Sequence, residues 1–351
     1  MDKRHVKIAG AGIAGLTAAI NLAKAGYQVI VYEANRDCGL RHNGDWQGIE
    51  NWTTPKDALD DLKAMNIETS LPFIPIHNIV WFDAYGNRYE SNIQAPIVYL
   101  LKRGTGINSL DQALKNQAIS SGVQIEFTKS IPLKEADLVA IGPAGGKPYG
   151  MAYGMNFQTD VEDKVWSIFD DKIAPKGYAY FFVIKGEATL TTTILDDFKS
   201  GPRLLEETYK RFQEIQSFSA HHINKFVGIG GIKLHLTNKA IGEAAGIQDY
   251  LMGFGMRMAM RCGFLGAKSV IEGIDLKKLL IKNVLPLVKN SILNRKVFER
   301  IGNRGRSLLV RKLAESQNYR TALYKLYTHD FVEKPTFSWI LKKMTDLGIS
   351  I

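Results

Sequence analysis

The chain has 351 residues, 45% of them apolar, a formal charge of +10 and two cysteines, Cys38 and Cys262. That length accommodates two domains, the apolar share is that of a globular protein, and two cysteines exclude a disulfide framework or a cysteine-built metal cluster. No run approaches eighteen uninterrupted apolar residues, so no spanning helix is expected, and the first strand begins too early for a signal peptide. The expected setting is reducing and cytoplasmic, with at most peripheral contact at a membrane surface.

In chain order, Val6 to Ala9 is a short apolar run that stops at Gly10. Gly12 and Gly15 follow, then helix formers from Leu16 to Ala25, and a second apolar run from Gln28 to Tyr32 that closes on Glu33. Strand, glycine turn, helix, strand and acid form the setting in which a GxGxxG sequence binds a dinucleotide. Gly10 permits the tight turn, Gly12 lets the backbone approach a pyrophosphate, and Gly15 lets helix and strand pack closely. The helix N-terminus favours the anion, and Glu33 is placed to accept from a ribose hydroxyl. Gly10, Gly12, Ala14, Gly15 and Glu33 are the candidate contacts at this end.

Residues 34–54 read as a long polar loop at the mouth of this site. Asp57 to Met65 is expected to be helical, and Ile79–Phe82 with Arg88–Glu90 forms a hairpin. Pro96 to Leu101 is a short apolar run leading to Arg103. Ser109 caps a helix reaching about Ser120, and Val123–Phe127 and Ala136–Ile141 are strands, the latter ending in a glycine turn at 142–146. From Tyr149 to about Thr193 the composition turns aromatic and β-branched, with strands over 165–169, 177–184 and 187–193 and Lys185-Gly186 as a hairpin turn. Residues 202–217 are helical, 228–236 return to strand, and 276–341 read as helical and basic. Residues 271–351 hold 16 Lys/Arg against 7 Asp/Glu.

Two further constellations join the first. Gly242-Glu243-Ala244-Ala245-Gly246, followed by Gly253, Gly255 and Met256, is small enough for backbone to approach a flat cofactor. Its acid can bond a ribityl or ribose hydroxyl, and the helix start beyond Gly255 can face developing negative charge. Arg103, just ahead of Ser109-Leu110-Asp111, is the third. Together these residues resemble the FAD-dependent oxidoreductases of the para-hydroxybenzoate hydroxylase type, and most of all the geranylgeranyl reductase family. The resemblance runs over roughly residues 1–270. It implies FAD as cofactor, with Gly242, Glu243, Gly246, Gly253, Gly255, Met256 and Arg103 around the dinucleotide.

Tyr178-Ala179-Tyr180-Phe181-Phe182-Val183 resembles the reductase group's Tyr-x-Trp-x-Phe-Pro segment, which lines a prenyl pocket. Tyr180 and Val183 depart from that pattern, and alternating Tyr and Phe is equally ordinary sheet core. Tyr178, Tyr180 and Phe182 are the candidate pocket residues. The turn after Ile141 lacks the hydroxylases' acid, Glu243 replaces their Asp, and Cys38 sits too early for the reductases' loop cysteine. His221-His222 read as a solvated turn, Cys262 and the methionines from 252 to 260 as packing, and no metal site is expected.

The expected fold is therefore α/β: a Rossmann-like FAD-binding domain (1–70, 96–150, 225–275), an inserted antiparallel β-sheet substrate domain (71–95, 151–224) and a basic helical C-terminal segment (276–351). The resemblance implies reduction of C=C bonds in a prenyl or other apolar, lipid-like substrate, with NAD(P)H or ferredoxin as external electron donor. A flavin-dependent monooxygenase and a non-catalytic flavin-binding protein are the alternatives. No catalytic acid stands out. Nucleic acid is not an expected partner, whereas Lys277, Lys278, Lys282, Lys289, Arg295 and Lys296, interleaved with Leu279, Leu280, Leu285, Leu287 and Ile292, suit docking to anionic lipid headgroups.

Overall fold

The computed structural model describes residues 5–71, 73–143, 148–231, 234–316 and 319–328. The first half runs β1 (His5–Ala9), α1 (Ile13–Lys24), β2 (Gln28–Glu33), β3 (Trp46–Glu50), α2 (Ala58–Ala64), β4 (Ile74–Ile76), β5 (Asn78–Asp83), β6 (Arg88–Asn92), β7 (Val98–Lys102), α3 (Leu110–Ser120), β8 (Gln124–Phe127) and β9 (Leu138–Val139). The second runs β10 (Gly150–Gln158), β11 (Lys164–Phe169), β12 (Tyr178–Ile184), β13 (Glu187–Ile194), α4 (Gly201–Ile215), β14 (His221–Gly230) and then α5 (Met256–Glu272), α6 (Leu276–Asn283), α7 (Leu285–Arg300), α8 (Gly302–Ala314) and α9 (Tyr319–Thr328). The chain is mixed α/β with a Rossmann-like unit, antiparallel sheets and C-terminal helices.

Parallel strands need a crossover, and α1 supplies it between β1 and β2, which pair from His5–Gln28 to Ala9–Tyr32. β8 and β9 extend this sheet to the order β8-β2-β1-β9, and Val139 makes a further parallel bridge to Ala240. Asp57, Ser109 and Asp275 cap α2, α3 and α6 by accepting from the N–H groups of Leu59, Gln112 and Lys278.

The second sheet has seven strands in the order β14-β10-β13-β12-β11-β5-β6, antiparallel except for the β11–β5 pair. Period-two alternation divides its side chains. Ala179, Phe181, Val183 and Leu190 bury one face under Leu205 and Phe212 of α4. Tyr178, Tyr180, Phe182, Val165 and Phe169 point to the other face, into the interior of the molecule.

Several elements differ from the sequence reading. Residues 46–50 form a strand within the expected loop, pairing antiparallel with β7; Trp46 and Ile49 are buried, and Gly48 masks the alternation. His221 and His222 begin β14 rather than forming a turn, and residues 225–230 pair with β10 in the seven-stranded sheet, not with the Rossmann-like strands. The turn at 144–147 and the stretch 329–341 lie outside the described residues. No helix among the described residues is long and apolar enough to cross a membrane.

α5 returns 240 residues later to lie on α1. A Cβ at Gly263 would stand 2.3 Å from the Ala14 carbonyl oxygen and 2.8 Å from Thr17 Cβ, so only glycine permits this approach. Replacing Gly263 with Val is expected to lower stability by about 1–3 kcal/mol through overpacking, read as a lower denaturation midpoint.

Candidate functional site

A cavity of about 770 Å³ runs from the β1–α1 turn, past the 34–48 segment and the 242–256 turns, to the inner face of the seven-stranded sheet. Its first end is a glycine cradle. Gly10 has φ +100°, and a Cβ there would lie 2.4 Å from the Ala140 carbonyl oxygen. A Cβ at Gly15 would lie 2.0 Å from the Gly10 carbonyl oxygen. These two glycines are required by the chain itself. Gly12 is different: its backbone is extended at φ −80°, and a Cβ would meet nothing nearer than the Ala140 oxygen at 4.0 Å. Gly255, at φ −128°, is equally open. Both line the cavity. Glycine at those two positions leaves room for something other than protein.

Gly12 and Gly255 also start α1 and α5, with no side-chain cap and no acid in either first turn. Two helix N-termini with their positive ends thus face one cavity, which suits an extended anionic dinucleotide. Glu33 holds the first turn: its carboxylate accepts from the Ala11 N–H at 2.8 Å and from the Asn35 backbone and side-chain N–H groups at 2.9 and 2.7 Å. Oε1 takes both Asn35 bonds, and Oε2, which takes only the Ala11 bond, retains a lone pair for a hydroxyl. Ala14 and Met256 line the same path; Gly242 lies where a Cβ would come 2.9 Å from Ala14 Cβ, locking the second turn onto α1. Gly246 closes that turn at φ +69°, and Gly253 lines the cavity with open space around it.

Glu243 lines the cavity, but its carboxylate is 2.7 Å from Arg41 Nη1, and Arg41 also donates to the Ile229 carbonyl oxygen. The expected hydroxyl ligand is thus ion-paired across the solvent-facing side, a residue partnership the sequence reading missed. Arg103 is buried in a two-pronged pair with Asp111, Nε and Nη2 each 2.9 Å from a carboxylate oxygen. Burial would raise the Asp111 carboxyl, yet the Arg103 guanidinium holds it below the usual range. The Gly104 N–H also donates to Asp111, so the pair braces the turn into α3. His42, Asp45 and Gln47 join Arg103 on the cavity wall. Burial, followed by the charge of Arg103, pushes the His42 imidazole down to about 3, so it is neutral at physiological pH. Gly39 and Gly44 flanking this polar segment were the available signal.

Beyond the 242–256 turns the walls become apolar. Tyr178, Tyr180 and Phe182 stand side by side, Tyr180 and Phe182 stacked at 4.5 Å between ring centroids, and Tyr178 donates to the Met252 carbonyl oxygen at 2.5 Å. Trp52 and Phe254 meet edge to face at 5.1 Å. The opposite wall comes from the C-terminal helices, through Phe298, Val310, Leu323 and Tyr327. The sequence reading turned these helices outward as a basic face and missed their inner one. Cys38 is buried but outside the cavity lining, and burial pushes its thiol up to about 12, so it supplies no reactive sulfur there. Met258, Met260 and Cys262 are core, and no metal-holding group of His, Cys, Asp and Glu occurs among the described residues.

Two buried acids flank this chamber. Asp249 accepts from the Leu251 and Met252 N–H groups and from Tyr327 Oη, and burial pushes it up to about 6. Glu50 is pushed up to about 6 by burial against the attraction of Arg257, and its Oε2 has no hydrogen-bond partner.

A model of the NAD(P)-binding Rossmann-like domain matches residues 8–45. No curated protein sequence matches the chain. Among solved structures, a geranylgeranyl bacteriochlorophyll reductase-like protein from Thermoplasma acidophilum is similar at TM-score 0.71 and 15% identity, over 98% of this chain and 100% of that one. A flavoprotein/dehydrogenase from Cytophaga hutchinsonii gives TM-score 0.64 at 14% identity over 99% and 100%. A mutant of 2-methyl-3-hydroxypyridine-5-carboxylic acid oxygenase gives 0.58 at 16% identity over 95% and 98%. The chain shares the fold of these proteins.

Two predictions follow from the geometry. Gly12→Val keeps the fold and its denaturation midpoint while weakening uptake of a dinucleotide by roughly tenfold or more, whereas Gly15→Ala forces backbone apart and destabilises by about 1–3 kcal/mol. The two readouts are dinucleotide titration and denaturant unfolding. For Glu50 the folded pKa lies above the unfolded one, so its stabilising contribution is full below about pH 4 and is lost as pH rises through about 6. Glu50→Gln should therefore gain about 2 kcal/mol relative to the wild type between about pH 4 and pH 8 in denaturant titrations.

Proposed function

We propose that this chain is an FAD-dependent oxidoreductase that reduces carbon–carbon double bonds of a prenyl or similarly apolar substrate. The observation that carries the reading is the continuity of one cavity: a glycine cradle with two helix N-termini at one end, and a chamber walled by Trp52, Tyr178, Tyr180, Phe182, Phe298 and Tyr327 at the other. FAD, when bound and reduced by an external donor such as NAD(P)H or ferredoxin, supplies hydride chemistry. The chain's own part is binding, orientation and exclusion of water. Gly10, Gly12, Ala14, Gly15 and Glu33 would hold the ADP half; Gly242, Glu243, Gly253, Gly255 and Met256 would lie along the ribityl and flavin half. Arg103 acts from behind, through Asp111 and the 104 turn. The aromatic chamber favours a flat or flexible apolar group, and among the described residues that wall it none offers a cation to a charged one. The likeness in fold to a geranylgeranyl reductase-like protein is consistent with this choice.

The test is anaerobic incubation of the FAD-loaded, chemically reduced protein with a polyprenyl alcohol, followed by mass spectrometry. The expected product gains two hydrogens per reduced double bond. A product that gains oxygen under air instead identifies a monooxygenase, and a chain that takes up no FAD leaves a binding protein without this chemistry. Phe182→Asp, which sets a charge into the apolar wall, should cut turnover roughly tenfold or more while leaving FAD uptake unchanged.

A further inference from the structure

The outer surface of α6, α7 and α8 carries charge of one sign, flanked by the exposed acids Glu272 and Asp275 before α6 and Glu315 after α8. Every exposed charged residue on these helices is a cation: Lys277, Lys278, Lys282, Lys289, Lys296, Arg300, Arg304, Arg311 and Lys312. Residues 276–314 hold eleven Lys/Arg and one acid, Glu299, so their net charge of +10 equals that of the whole chain and the rest is balanced. Glu299 does not offset the outer face, because it is partly buried and paired with the buried Arg295 at 2.9 Å. The leucines interleaved with these lysines in sequence do not point outward: Leu276 and Leu280 are buried, and Leu279, Leu287 and Ile292 pack on the core. Three isoleucines do point outward. Ile271, Ile274 and Ile281 are 39%, 39% and 44% exposed, in the last turn of α5, the link that follows it, and α6. On α6, Lys277, Lys278, Ile281 and Lys282 share the exposed side, while Leu276 and Leu280 face in.

We propose that this surface docks the protein on an anionic lipid bilayer, with Ile271, Ile274 and Ile281 entering the headgroup–acyl boundary and the lysines of α6 lying among the phosphates. The cations account for attraction to any polyanion, but exposed isoleucines gain only where an apolar phase adjoins the charge; Ile281 lies among lysines, while Ile271 and Ile274 adjoin Glu272, which is paired with Lys268, and Asp275, which caps α6. Nucleic acid offers no such phase, which decides between the two. The inner side of α6 packs on the core through Leu276 and Leu280, and the chamber is walled by the helices that follow it, α7 to α9.

Co-sedimentation of the full chain with vesicles tests this. Binding is expected to mixed phosphatidylglycerol–phosphatidylcholine vesicles and not to pure phosphatidylcholine, and to weaken as salt rises. Reversing three charges (K277E, K278E and K282E together) should weaken binding by about 100-fold. Replacing Ile271, Ile274 and Ile281 with Ser should leave a residual, wholly salt-sensitive association. Both sets change exposed side chains, and an unaltered circular dichroism spectrum and denaturation midpoint verify the fold. The proposal is overturned if the anionic vesicles are not bound at low salt, if the isoleucine variant binds as the wild type does at every salt concentration, or if a duplex RNA competitor binds more tightly and is indifferent to the isoleucines.

Discussion

The structure depends on the close crossing of α1 and α5. The two glycine turns that face the cavity are some 230 residues apart in sequence, and each turn alone is a common local motif. They become one site because Gly263 lets α5 reach the backbone of α1 at Ala14, and because Gly242 fits against Ala14 from the other side. Around this contact the buried apolar residues of β1, β2, α1, α3 and α5 form a single cluster. Interiors at native density do not yield to an added methyl group, so the spacing between the two halves of the cradle is set by packing rather than by the loops that join them.

From this anchor the rest follows in layers. The seven-stranded sheet gives one face to α4 and the other to the cavity, and strand alternation alone sorts Phe181 from Tyr180 and Phe182. The polar and apolar ends of the cavity are separated by the segment from 249 to 256. Asp249 ties down two N–H groups of that segment, and Tyr327 of α9 bonds the same carboxylate. A single buried acid therefore joins the 249–256 segment to the last helix described.

Much of this was legible in the sequence, and for identifiable reasons. The β1–α1–β2 unit, the capping Ser109 and the Lys185-Gly186 hairpin are local or carry a fixed spacing, so propensity and pattern reveal them. The alternation of Tyr178, Tyr180 and Phe182 could be read, but which face met a cavity could not, since both faces of β12 are covered. What escaped was long-range. Arg41 finds Glu243 across 202 positions, and no local rule pairs a loop cation with a distant acid. Strand β3 escaped because Gly48, held small by Val98, interrupts its apolar rhythm. The C-terminal helices were misread in part because lysine-rich helices look solvated, although their leucines and aromatic residues are as regularly spaced as any core.

The placement of those helices bears on how the protein comes to be made. The cavity-facing side of the seven-stranded sheet is complete once residue 230 has been synthesised, yet much of what covers it, Phe298, Val310, Leu323 and Tyr327, lies about 70 residues or more further on. During translation an aromatic surface of Trp81, Phe169, Tyr178, Tyr180 and Phe182 stands open for the interval in which the last helices emerge. Such a surface on a nascent chain attracts chaperones and favours aggregation, and it is closed only once α7, α8 and α9 have left the ribosome. The apolar chamber thus matures later than the sheet that forms its floor, and its enclosed aromatic wall has as its counterpart a period of vulnerability at birth.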